Sequence, residues 1–228
     1  MPSTAPTGIE DHLAGGLLVG GVVVMMTGAS IPFLAPSLRE TPWQSDLATI
    51  AGNPTAHVWA NGLFLAAAVL TTLGLVALSL RFEGRSRPWA WMGLVTFAFA
   101  AVFGVIDRII VMGPATLAAQ QGLDETDVVV QAFSGLVEGL GVTFMIVGFF
   151  ALSLYGIALA RGGRSSGIGW VFVAGGILGI VLELIGGTIP AFVYVGTAAL
   201  GIVTWRLGSA PTRPSYLGKE RQNGSTRR

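Results

Sequence analysis

The chain alternates long apolar runs with short polar connections, and that alternation fixes the number and length of its elements. A bilayer core of about 30 Å needs roughly 20 apolar residues in a helix that rises 1.5 Å per residue. Residues 13–38 and 58–80 contain no ionisable side chain and predict the first two membrane spans. A third span, 89–112, carries Asp107 and Arg108 near its end, and a fourth, 128–160, carries Glu138. Between Arg164 and Arg206 the only charge is Glu183. One helix over that stretch would be about 60 Å long, twice the bilayer. Two helices turning near Gly186, Gly187 and Pro190 are therefore expected, the sixth span covering residues 190–205. The predicted fold is all-α: a polytopic membrane bundle of six transmembrane helices.

Three segments follow. Residues 1–12 form an N-terminal segment, 13–207 the transmembrane domain, and 208–228 a basic tail too rich in Pro, Ser, Gly and Arg to fold, expected to be disordered. Residues 1–12 contain Glu10 and Asp11 but no Lys or Arg, so the basic start of a cleaved signal peptide is missing. Span one is expected to stay in the mature protein.

Composition agrees. The chain of 228 residues is 52% hydrophobic and 11% charged, against about 25% charged in soluble domains. A soluble globular reading is excluded. No cysteine is present, which removes disulfides, thiol nucleophiles and iron–sulfur ligation.

The net charge of +1 conceals a strong layering. Eleven of the 13 basic residues fall in the segments that share a side in a six-span chain: 81–88, 161–167 and the tail from Arg206. Only Arg39 lies in an opposite loop. By the positive-inside rule both termini are cytoplasmic and the protein sits in the cytoplasmic membrane. The inner segments then carry +7, the outer loops −4 and the spans −2. Trp43, Trp59, Trp89, Trp91 and Trp205 lie near span ends and read as interfacial anchors.

The spans' own charges give the candidate site. Ionisable side chains inside a membrane are costly and raise a functional hypothesis by default. Counted from the cytoplasmic span ends, Glu183 lies about 23 Å deep, Asp107 about 27 Å, Asn61 about 30 Å and Glu138 about 31 Å. His57 sits just beyond Asn61 at the mouth of span two. The expected ligand, proton or cation site is thus an outward-facing set of Asn61, Asp107, Arg108, Glu138, Glu183 and His57. Asp107 and Arg108 are about 100° apart on a helix, so each is expected to meet a different partner. Arg108 would neutralise Glu138 or Glu183, leaving at least one acid to hold a proton, His57 or a mobile cation. The competing reading is structural: charges near the outer interface cost much less than charges at the midplane.

Glycines at four-residue spacing, Gly16 and Gly20, Gly135 and Gly139, Gly175 and Gly179, predict close helix packing. The string Ala77-Leu78-Ser79-Leu80 recurs as Ala151-Leu152-Ser153-Leu154. Each copy is followed by an Arg/Gly/Ser connection and a Trp-led span, which suggests a parallel repeat of spans two-three and four-five.

The layout resembles an uncharacterised bacterial family of six-helix integral membrane proteins. The likeness rests on Ala14-Gly15 opening span one, the Arg-containing turn after span two, Asp107-Arg108 late in span three, and an Arg/Gly turn before a fifth span with Gly175, Gly176 and Gly179. It covers residues 13–207 and implies topology, with no activity attached.

Several chemistries lack their residues. His12 and His57 fall on opposite sides of the membrane, which argues against axial ligation of one haem by this chain. There is no His-Glu-x-x-His, nucleophile elbow or phosphate-binding glycine loop. No cofactor, metal or catalytic residue is indicated, and the tail alone gives no basis for nucleic-acid binding. The expected function is binding or passage of a small ligand, proton or cation in the membrane. Two rivals stand beside it. One is a membrane enzyme using a protonated Glu138 or Asp107 on a lipid or isoprenoid. The other is an accessory subunit whose charges pair with a partner's helix or with a second copy.

Overall fold

The computed structural model describes residues 9–34, 47–123, 127–162, 166–186 and 191–208. These residues form α1 (Ile9–Leu34), α2 (Leu47–Gly52), α3 (Pro54–Ser79), α4 (Arg87–Met112), α5 (Pro114–Gln120), α6 (Val128–Arg161), α7 (Ser166–Gly186) and α8 (Ala191–Gly208). No strand occurs among them. The predicted tail, Arg39 and Trp43 lie outside the described residues.

Five stretches are long and apolar enough to cross a membrane: His12–Ile31 in α1, α3, the continuous run Arg87–Gln120 through α4 and α5, α6, and α7. The apolar stretch of α8, Phe192–Arg206, is shorter. It occupies the place expected for the sixth span.

The helices close into a ring. α1 packs between α3 and α8, α4 between α3 and α6, and α8 returns to α6, while α7 lies outside against α6. Small residues make the contacts. A Cβ on Gly21 would crowd Ala67 O at 3.2 Å, one on Gly15 would meet Gly201 O at 2.9 Å, and one on Gly156 would meet Gly169 O at 2.7 Å. Ala14, Ala67, Ala90, Ala100, Ala151 and Ala158 are buried, whereas Val69, Leu73, Val95, Phe99, Val102 and Val171 are exposed. Large apolar side chains facing outward, with small residues at the closest helix contacts, suit a lipid surround, where backbone approach replaces the hydrophobic effect between helices.

The glycine spacing is read only in part. Gly16, Gly20, Gly135, Gly139 and Gly175 face open space, while Gly15, Gly21, Gly28, Gly176 and Gly179 make the close approaches. Four-residue spacing marks a stripe of small residues but does not say which way the stripe faces. The two Ala-Leu-Ser-Leu serines do share a role. Ser79 Oγ donates to Ala90 O of α4 at 3.4 Å and lies 2.7 Å from Tyr155 OH, and Ser153 Oγ donates to Phe149 O at 3.1 Å with Val173 O of α7 at 3.4 Å. The hairpins themselves sit differently, since α4 is a member of the ring and α7 is peripheral.

The two ends of the bundle differ in charge. The α3–α4 turn with Arg81, Arg85 and Arg87 lies at the same end as Arg161, whose guanidinium is 4.7 Å from the Trp89 ring. His12 and Trp205 stack edge-on there at 5.2 Å, which brings Arg206 to this basic end. At the other end α2 packs on α5 around Ile50, Ala119 and Val130.

Candidate functional site

The site begins with two helix ends beside the α2–α5 cap. Asn53 caps α3, its Oδ1 accepting from Ala56 N at 3.2 Å, and Pro54 supplies a preset first-turn φ without a donor to waste. That start fixes His57 in the first turn and Asn61 one turn later. On the facing helix, α4 stops where Gly113 N bonds Ile109 O at 3.0 Å and Pro114 opens α5 without an N–H. Helix-end carbonyls need partners from outside the helix. Val111 O finds one in His57 Nε2 at 3.1 Å. A carbonyl only accepts, so Nε2 carries the hydrogen.

The polar chain continues inward. Asn61 Nδ2 donates to His57 O at 2.9 Å, and Asn61 Oδ1 accepts from Arg108 Nη1 at 3.1 Å. A guanidinium has donors only, which fixes the orientation of the Asn61 amide. Arg108 Nε donates to Asp107 Oδ2 at 2.8 Å, with Nη2 on the same oxygen. The cation also lies 5.3 Å from the centre of the Phe64 ring.

Asp107 is 3% exposed, and its second oxygen, Oδ1, is buried without a hydrogen-bond partner. Asp107 is also one of the residues lining a cavity of about 30 Å³ where α3, α4, α6 and α8 meet. Phe64 and Ala68 come from α3, Gly104 and Arg108 from α4, Gly141 and Phe144 from α6, and Tyr194 from α8. By helix register the cavity lies below the His57–Val111 contact, toward the bundle centre.

Of the six residues expected at the site, His57, Asn61, Asp107 and Arg108 come together. Glu138 and Glu183 do not. Glu138 is exposed on the outer part of α6, and Glu183 is half-buried on α7, outside the ring. Arg108 therefore neutralises its own neighbour rather than either glutamate. Adjacent side chains leave a helix about 100° apart, but the arginine stem is long enough to bend back across that angle. The surplus of acid expected beside Arg108 is absent from the cavity, where one carboxylate faces one guanidinium. Phe64, Phe144, Tyr194 and Val111 escaped sequence reasoning because apolar residues and a backbone carbonyl carry no signal in an apolar alphabet. The breaks at Asn53-Pro54 and Gly113-Pro114 were readable as turn dipeptides.

No group of three or more His, Cys, Asp or Glu side chains able to hold a metal occurs among the described residues. No protein-family model, curated protein or solved structure matches this chain.

Proposed function

We propose that this chain is a six-span protein of the cytoplasmic membrane, with both termini in the cytoplasm, that binds or passes a small ligand, proton or cation through a polar pocket in its outer half. The six-helix topology implied by the family resemblance belongs to the same proposal. The observation that carries it is Asp107, a buried carboxylate among the residues that line a cavity, with its Oδ1 taken out of solvent and given no donor. A purely structural carboxylate gains by spending both oxygens on donors, since an unmet buried acceptor costs about 1–3 kcal/mol. Orientation is supported by the basic end formed by Arg81, Arg85, Arg87, Arg161 and Arg206.

The absence of cysteine makes the topology simple to test. A membrane-impermeant maleimide should label a Gln121→Cys variant in intact cells and an Arg85→Cys variant only after permeabilisation. The reverse order would invert the bundle. For the pocket, Asp107→Asn should abolish any ligand-dependent rise in melting temperature that the wild type shows. A rise that survives the substitution would move binding elsewhere.

One observation favours the accessory-subunit reading as a second possibility. Glu138 is exposed between Gly135 and Gly139, both of which face open space on α6. If a partner helix covers this face, Glu138→Gln should reduce co-purification and leave the melting of the isolated chain unchanged.

A further inference from the structure

We propose that the basic end of the bundle holds the headgroup phosphate of an anionic phospholipid, at the corner where α6 ends against the start of α4. This corner lies at the opposite end from the Asp107 pocket and does not depend on it.

The site begins with a contact between two helix ends. Trp89 stands in the first turn of α4, partly buried and packed against the core, and Arg161 stands in the last turn of α6. The ends meet closely, since a Cβ on Gly162 would lie 4.0 Å from Ser86 Cβ. The Arg161 guanidinium sits 4.7 Å from the centre of the Trp89 ring, within the range of a cation–π contact. That contact positions the charge and leaves the N–H donors unspent. Among the described residues no carboxylate or carbonyl accepts from Arg161.

Charge and shape name the ligand. Arg85 and Arg87 flank Ser86 and are exposed at the same corner, where Glu83 is the one acid of the turn. Three guanidiniums against one carboxylate call for an anion, and the guanidinium fork matches phosphate oxygens bidentately. Below them Met92, Val95, Phe99, Val102 and Ile106 are all exposed. Their steps of three and four residues make one outward stripe down α4. It runs for about 21 Å, enough to carry an acyl chain through its leaflet, half of a hydrocarbon core of about 30 Å. Free phosphate has no use for that track. A zwitterionic lipid brings its own cation to compete with the arginines.

Thermal denaturation of the purified full-length chain in a neutral detergent tests the site. Titrated dioleoyl phosphatidylglycerol should raise the melting temperature saturably, while phosphatidylcholine with the same chains and inorganic phosphate at equal ionic strength should not. Arg161→Gln should keep its circular dichroism and weaken the apparent affinity for phosphatidylglycerol about fivefold or more, the value of one basic residue beside anionic lipid. Arg206→Gln removes the same charge from the same end but away from the corner, and should change that affinity by less than about twofold. Equal losses in the two variants would replace the site by a diffuse attraction. An equal rise with phosphatidylcholine, an equal rise with inorganic phosphate, or no rise with phosphatidylglycerol overturns the proposal and leaves the pocket untouched.

Discussion

Arg108 bends back along its own helix to hold Asp107, Nε to Oδ2 at 2.8 Å, although the two residues are consecutive. The pair is self-contained, which frees the rest of the membrane interior from having to supply a counter-charge. Removing one member therefore differs sharply from removing both. Arg108→Leu leaves a carboxylate buried and unpaired and should cost about 3 kcal/mol or more, whereas the double variant Asp107→Leu/Arg108→Leu should melt within about 1 kcal/mol of wild type. A double-mutant cycle measured by thermal denaturation in one detergent provides the check, and additive losses would dissolve the pairing.

The His57–Val111 hydrogen bond is the outermost link between α3 and α4, made where the α4 ladder ends. His57→Phe keeps a ring of similar size and removes the donor. The expected loss is about 1 kcal/mol. Hydrogen exchange should quicken at residues 54–61 and 109–113 and stay unchanged at the basic ends of the same helices. Uniform acceleration along both helices would assign His57 a global role instead.

Tyr155 is fully buried, and its hydroxyl bonds Leu75 O at 3.3 Å beside Ser79 Oγ at 2.7 Å, joining α6 to α3. Tyr155→Phe should lower stability by about 1–2 kcal/mol, because Leu75 O and Ser79 lose a partner inside a dry core. This network lies toward the basic end, away from the cavity. The infrared band of Asp107 should not move in the variant, and a moved band would show that the two networks are coupled.

The glycines divide by what they face. Gly156→Leu would drive a side chain into Gly169 O and Val173 N, both 2.7 Å from the new Cβ, and should cost about 3 kcal/mol by forcing α7 off α6. Gly135→Ala faces open space and should stabilise the helix by about 0.5–1 kcal/mol. Equal effects in parallel melting curves would contradict the packing.

Much of this was legible along the chain, for reasons that particular residues make plain. Span positions follow from the scarcity of charge, and Asp107 and Arg108 stand out because a charge in an apolar run costs energy that something must offset. Glu138 stands out equally, yet it faces outward. Linear spacing measures depth along a helix well and azimuth poorly when nearly every neighbour is apolar. The same gap hides α2 and α5, too short and weakly patterned to read, and it hides the cavity, whose walls are residues that look alike in any span.

The ring has a consequence for biosynthesis. α1 meets α8, so the first described helix and the last one share a seam. Insertion that proceeds from the N-terminus leaves the face of α1 that carries Gly15 without its partner until α8 leaves the ribosome. Through that interval the nascent chain has an open flank in the bilayer, where lipid or an insertion factor must stand in for the helix still to come.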